Sequence, residues 1–567
     1  MNFRTITAGL LLTAALITNC DKKDDPATLN IENAPQTAVA ATGGTATFDV
    51  KSNTDWSVSK PADATWLTIA PQSGSGNAQV TLTLAANEGA SRTAALNVSG
   101  GSLWKTVNIS QAAAEGKDPA PQTLDLGDGT AAYEIKQNTT LSYPNTYNLK
   151  GFVYVVDGVT LTIEPGVIVK GDKGTKATLI VERGGKIMAQ GTAERPIVFT
   201  SAQAAGSRKP GDWGGIILLG KAPNNMGEQT IEGGVRSKHG GTDPADNSGT
   251  LSYVRIEFAG IEYATDNEIN GITLGSTGSG TTLDHIQVSH SGDDSYEWFG
   301  GTVNARYLVA YGTWDDDFDT DNGFSGRVQY ALAVRNPQTA DKSASNSFES
   351  DNNAAGSATE PYTSVVFANM SLFGPVANPA SYTDQGGQAG STTDARFQAA
   401  LHLRRNTQLS IFNSLIAAFP VGLIVENDKG STTQTWATDG KLNVTNCVMA
   451  GMMDNYQDAQ YWSAGSVFNT AEGSGAFAES YFTREGGGNR VFNALADLKL
   501  SGTASPAAPV VFPATDSPLA TGAAWTDAKV SSGFDKVNYI GAFAPTETAS
   551  SNWTTGWTNF DPQNTAY

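Results

Sequence analysis

Apolar and other residues alternate along this chain in a phrase that keeps returning. LSYVRIEFAG, LDHIQVSHSG, VNARYLVAYG, VQYALAVRNP, VVFANMSLFG, LSIFNSLIAA and LNVTNCVMAG begin at Leu251, Leu283, Val303, Val328, Val365, Leu409 and Leu442. Each reads as a strand ending in Gly, Pro or a small residue. The surplus in the longer intervals falls in Gly/Ser/Asn-rich text. One strand per coil, with variable loops between, predicts a parallel β-solenoid. A second register repeats on another flank: 296–300, 318–322, 348–352, 402–406 and 423–427. Its first column, mostly aromatic or apolar, should point inward, so the second and fourth columns share the opposite face. Its last column, Asn322, Asn352, Asn406 and Asn427, is expected to stack as an amide ladder at a left-handed turn.

Upstream, TATFDVKS, DWSVSK, WLTIAP, AQVTLTLAAN, RTAALNVSG and KTVNISQA alternate at the spacing of a small β-sandwich. GKDPAPQT at 116–123 breaks the pattern as a linker. The expected fold is all-β: a small sandwich followed by a right-handed parallel β-helix. The expected divisions are a signal peptide at 1–19, a tether at 20–35, the sandwich at 36–114 and a linker at 115–130. The solenoid then runs over 131–500 and a C-terminal cap over 501–567. Trp553, Trp557 and Phe560 are expected to cover the open end of the solenoid, which otherwise exposes apolar core.

The residues 53–56 (NTDW), 66–67 (WL), 71–77 (PQSGSGN), 92–94 (RTA) and 110–112 (SQA) resemble the BACON domain family, a sandwich module of Bacteroidota surface glycan-handling proteins. VTLTIEPGVIVKG, ERPIVFTSA and GDWGGIILLGKA resemble the pectin-lyase-like right-handed β-helix superfold over about 130–500. Arg4, a short apolar run and Asn19-Cys20 are similar to a bacterial lipoprotein signal, and DKKDD to a surface-export tag. That resemblance implies lipid attachment at Cys20 and an outer-membrane location facing the exterior. The apolar run is too short to span a bilayer.

The net charge of −20 and pI near 4.6 argue against a nucleic-acid partner, because phosphate is repelled. Of the two cysteines, Cys20 and Cys447, the second reads as a small core residue. The four histidines, His239, His285, His290 and His402, lack zinc-type spacing. No nucleophile elbow, P-loop or dinucleotide fingerprint is present.

The chemistry concentrates in carboxylates. Glu297, Asp319 and Glu349 fall in the second column, with Asp321, Asp351, Arg405 and Glu426 beside them. Stacked coils place equivalent side chains about 4.8 Å apart, and carboxylates that close repel unless a cation lies among them. Asp319, Asp321, Glu349 and Asp351 are the candidate Ca²⁺ ligands. Asp293, Asp294, Asp315, Asp316 and Asp317 adjoin them. The arrangement resembles that of pectate lyases, which implies Arg405 as a candidate catalytic base. Gly292-Asp293-Asp294 only loosely echoes polygalacturonases, whose companion residues are missing.

Three functions follow as alternatives. The first is a lipid-anchored surface protein binding polysaccharide or another extended polymer through Glu297, Trp298, Trp314, Asp319, Asp321, Glu349, Asp351 and Arg405. The second is a calcium-dependent lyase of uronic-acid polymers, and the third a non-catalytic adhesin or surface scaffold.

Overall fold

The computed structural model describes residues 28–567 apart from 36–37, 101–102, 118–120, 131, 266, 342, 376–396, 428, 431 and 453–474. The expectations for Cys20, the signal peptide and half of the tether lie outside the described residues; in the other half Leu29–Glu32 is not tether but an edge strand of the sandwich. Two compact units divide between Pro119 and Ala120. Among the described residues no helix is long and apolar enough to cross a membrane.

The first unit is the expected sandwich. Leu29–Glu32, Gly44–Ser52, Ala78–Leu84 and Leu67–Ala70 form one four-stranded sheet; Ser73–Ser75, Asp55–Ser59, Arg92–Gly100 and Leu103–Gln111 form the other. Every pairing within these sheets is antiparallel. Period-two alternation sends Phe48, Val50, Val80, Leu82, Leu96 and Val98 inward. Trp56 joins that core, its indole N–H donating to the Gly76 carbonyl at 2.8 Å. Trp66 is half-buried with the Arg92 guanidinium 4.6 Å from its ring centre.

The second unit is a parallel β-helix. A ten-stranded parallel sheet runs from Tyr133–Ile135 to Val421–Val425, and a seventeen-stranded sheet supplies the other walls. The repeated phrase pairs in register: Leu251 opposite Leu283, Ile286 opposite Leu308, Leu308 opposite Ala331, Ala331 opposite Met370. Mid-strand, each coil turns a corner at a left-handed residue. Tyr253, His285, Tyr307, Tyr330, Asn369, Asn413 and Asn446 have φ between 51° and 63°. Asn tolerates this conformation. At the aromatic positions ring stacking offsets the cost, with centroids 4.3, 4.4 and 5.1 Å apart from Tyr253 through His285 and Tyr307 to Tyr330.

Cys447 is fully buried in the core column, as expected, and desolvation pushes its thiol up to about 12. The expected asparagine ladder does not form. Asn352 Nδ2 donates to the Ser357 and Thr359 carbonyls, and Asn406 Nδ2 to the Gly356 carbonyl. Asn427 Oδ1 accepts from the Gln434 N–H. Asn352 and Asn427 therefore tie down their own loops, and Asn406 reaches back to the loop of the preceding coil, bonding its backbone rather than another ladder amide.

The C-terminal tail is a strap along the flank, not a cap. Its backbone carbonyls are held in turn by Asn413 (to Ala524), Gln329 (to Asp535), Asn369 (to Tyr539), Gln287 (to Asn559), Arg208 (to Thr565) and Lys170 (to Tyr567). The tail thus returns toward the first coils. Trp557 is fully buried in an apolar cluster with Val309, Leu332, Phe373 and Ile540, and Trp553 and Phe560 pack against the same cluster. On the last coil, Ala437, Ala478, Tyr481 and Phe482 from helices Thr433–Thr438 and Gly475–Phe482 join the main core instead.

Candidate functional site

The ten-stranded sheet carries the acidic column. Strands Tyr296–Gly301, Phe318–Asp321 and Phe348–Ser350 pair Glu297 with Asp319 and Asp319 with Glu349. Tyr296, Phe318 and Phe348 point into the core and stack at 5.4 and 5.1 Å. Alternation therefore sends the carboxylates out, as the pattern required. Beneath them, the Thr320 hydroxyl donates to Ser350 Oγ at 2.8 Å, and the Ser350 and Thr407 hydroxyls share a hydrogen bond of 2.6 Å.

The acidic turn residues close the site. Glu232, Glu268, Asp293, Asp294, Glu297, Asp315, Asp316, Asp319 and Glu349 line a cleft of about 250 Å³ with Ser343, Ala344 and Arg404. Glu232 and Glu268 come from segments that project beyond the coils, and the repeat pattern gave no sign of either. Backbone donors fix part of the floor: the Asp316 N–H donates to Asp294 Oδ1 at 2.8 Å, and the Asn346 N–H donates to Asp316 Oδ1. Asp317, expected nearby, lies instead in a fully buried ion pair with Arg335 at 3.0 Å.

Burial and mutual repulsion dominate the electrostatics. Desolvation, then neighbouring carboxylates, pushes Asp293, Asp294, Glu297 and Asp319 well above the usual carboxylate range. Desolvation likewise raises Asp316 to about 7 and Asp321 to about 6. Three sets could each hold a cation: Asp293, Asp294 and Asp315; Asp294, Glu297 and Asp319; and Asp316, Asp319 and Glu349. Within each set the ligand oxygens lie within 4.8 Å of one another. Asp319 Oδ1 is buried without a hydrogen-bond donor, so the donor set fits a hard cation.

Several expected site residues are placed differently. Trp298 is 0% exposed, stacked on Phe324 at 5.2 Å inside the core, and offers no surface to a polymer. Trp314 is half-buried, its indole N–H donating to the Ala340 carbonyl at 2.6 Å. Of the four expected metal ligands, Asp319 and Glu349 enter the clusters and Asp321 and Asp351 do not. Asp351 is claimed by arginines, with Arg404 Nε at 2.8 Å and Arg405 Nη1 at 2.6 Å. The fourth row is also displaced by one residue: Leu401, not His402, pairs with Phe348. Arg404 therefore takes the place expected for Arg405, lines the cleft and grips Glu349. Desolvation and the adjacent charge of Arg405 lower its pKa.

A family model described as "Pectate-lyase like beta helix domain" matches residues 133–493. The chain belongs to the pectate-lyase-like β-helix family. A second model, the BACON "Putative binding domain, N-terminal", matches residues 54–112. No curated protein matches the chain. Among solved structures, a Bacteroides ovatus GH5 xyloglucanase in complex with a XXXG heptasaccharide is 24% identical, with a TM-score of 0.14. That match covers 15% of this chain and 19% of the xyloglucanase chain. The residues lining the acidic cleft all fall within the 133–493 match, and the BACON match confirms the module expected ahead of it.

Proposed function

We propose that this protein binds an extracellular polysaccharide in the acidic cleft of its β-helix, through a hard divalent cation of the calcium class. We further propose that lipid at Cys20 anchors it to the outer surface of the cell. The observation that carries the cleft reading is the three overlapping carboxylate sets, whose oxygens approach within 4.8 Å. Desolvated like charges at that separation need a counter-ion to stay ionised. Three carboxylates leave part of a six- to eight-oxygen calcium shell open, and sugar hydroxyls or carboxylates can complete it. The BACON and pectate-lyase-like domains support a polysaccharide as the ligand.

The test is glycan-array binding of the 20–567 chain in calcium and again in EDTA. Binding lost in EDTA supports the cleft. Binding indifferent to EDTA moves recognition elsewhere, and no binding in either buffer favours the scaffold reading. One observation favours a second reading, a lyase of uronic-acid polymers: a buried arginine of lowered pKa, Arg404, lines the cleft beside the candidate cation ligands. Unsaturated products absorbing in the ultraviolet, lost in Arg404→Lys and kept in Arg405→Lys, would establish that reading.

A further inference from the structure

The corrected strand register brings a histidine into the acidic column. Outward positions on four successive coils read Glu297, Asp319, Glu349 and His402. His402 is 4% exposed. Its Nε2 lies 3.0 Å from Glu426 Oε2, and its Nδ1, without a hydrogen-bond partner, faces Glu349 Oε2 at 3.7 Å. A neutral ring that donates its Nε2–H to Glu426 carries a lone pair on Nδ1. That lone pair and the Glu349 carboxylate are then two acceptors facing each other. Arg404 holds the other Glu349 oxygen, Oε1, which leaves Oε2 free to serve the gap.

An imidazole braced from behind by a carboxylate is the arrangement that orients metal-ligating histidines. Two ligands each about 2.1 Å from one ion stand about 3.4 Å apart at a tetrahedral angle, close to the separation observed. We propose that His402 and Glu349 form a binding position for a divalent transition-metal ion of the zinc class, adjoining the Asp316, Asp319 and Glu349 set through the shared Glu349. Imidazole favours such ions, whereas the all-oxygen cluster of Asp293, Asp294 and Asp315 suits calcium or magnesium. The inference deepens the cleft reading, on which it rests for the presence of cations there, and makes the cleft chemically two-ended. The competing arrangement is an imidazolium that simply bridges Glu349 and Glu426.

Titration of the metal-free, full-length chain with Co²⁺ decides between them. The expected result is one equivalent bound with visible bands of a nitrogen-containing site, displaced by Zn²⁺ but not by Ca²⁺. His402→Gln should weaken Co²⁺ at least tenfold and leave Ca²⁺ binding unchanged. Glu426→Gln should weaken it about tenfold by loosening the ring. Wild-type chain that takes no Co²⁺, or His402→Gln with an unchanged spectrum and affinity, overturns the proposal. X-ray absorption of the Zn²⁺-loaded wild type needs no variant, and a spectrum without imidazole scattering also overturns it. Ca²⁺ binding without Co²⁺ binding defeats this inference alone. Co²⁺ held by His402 in a chain that binds neither Ca²⁺ nor glycan defeats the calcium-bridged function while sparing the site.

Discussion

Two columns of side chains run along the same solenoid, each adding one residue per coil. On one flank Tyr253, His285, Tyr307 and Tyr330 stack ring on ring and are roofed by Trp557 and Trp553 of the strap. On the other, Glu297, Asp319, Glu349 and His402 occupy successive outward positions of the ten-stranded sheet. The repeat geometry is shared and the energetics are opposite. Coil spacing suits aromatic faces, each stacked pair being worth about 0.5–1.5 kcal/mol beyond burial. The same spacing sets unit charges against each other at about 3–4 kcal/mol per pair for an effective dielectric of 20. One column stabilises the helix and the other destabilises it unless its charges are neutralised.

The largest expected effect lies on the aromatic side. Trp557→Ala empties a fully buried site in the strap cluster and should cost about 3–5 kcal/mol, read as a fall in thermal midpoint. Cation binding should survive at temperatures where the chain is folded. An equal loss of both would show that the two flanks are not independent.

On the acidic side, pH should act in the opposite sense from ordinary salt-bridged carboxylates. Asp316 at about 7 and Asp321 at about 6 both lie above the ordinary 3.8. The folded chain therefore holds these protons more tightly than the unfolded chain. Their contribution is complete below about pH 4 and is lost as pH rises through 6 to 7, on the order of 5 kcal/mol for the two together. Metal-free chain should lose stability over that window, and calcium should flatten the slope. A flat profile without metal would mean the carboxylates are already neutralised by other means.

Asp319→Asn sharpens the same point with one residue. Removing the charge at the middle of the column should stabilise the metal-free chain by about 1–2 kcal/mol, since repulsion is relieved. It should also remove most of the calcium-induced rise in thermal midpoint. A variant less stable than wild type in EDTA would mean that Asp319 has a structural partner.

How much of this contrast could be read from the residues follows from the same physics. The ten-residue phrase and its αL corner repeat every coil, so strand, register and core were legible from Leu251 to Leu442. The outward carboxylates of three coils were legible too, because Tyr296, Phe318 and Phe348 mark the inward face. The fourth row was not: Leu401 and Leu403 flank His402, and a slip of one residue exchanges the two faces. That slip hid His402 from the column and put Arg405 where Arg404 stands. Trp298 stands two residues after Tyr296, so alternation puts its ring on the inward face beside Tyr296 rather than with Glu297. The strap left no repeat to find. Its polar anchors are single long-range hydrogen bonds such as Gln287 with Asn559, invisible to periodicity.

The smallest expected effect tests whether stacking itself supports the aromatic column. Tyr307 sits between His285 and Tyr330, at 4.4 and 5.1 Å, with Trp553 at 5.5 Å. Tyr307→Phe keeps every ring contact and should change stability by less than about 0.5 kcal/mol. Tyr307→Leu keeps most of the apolar volume but deletes both stacks, and should cost about 1–2 kcal/mol. Glycan binding should be unchanged in both, because the strap covers this column. If Phe and Leu behave alike, the aromatic flank is held by burial alone. The left-handed turn at φ 56° would then need another source of compensation.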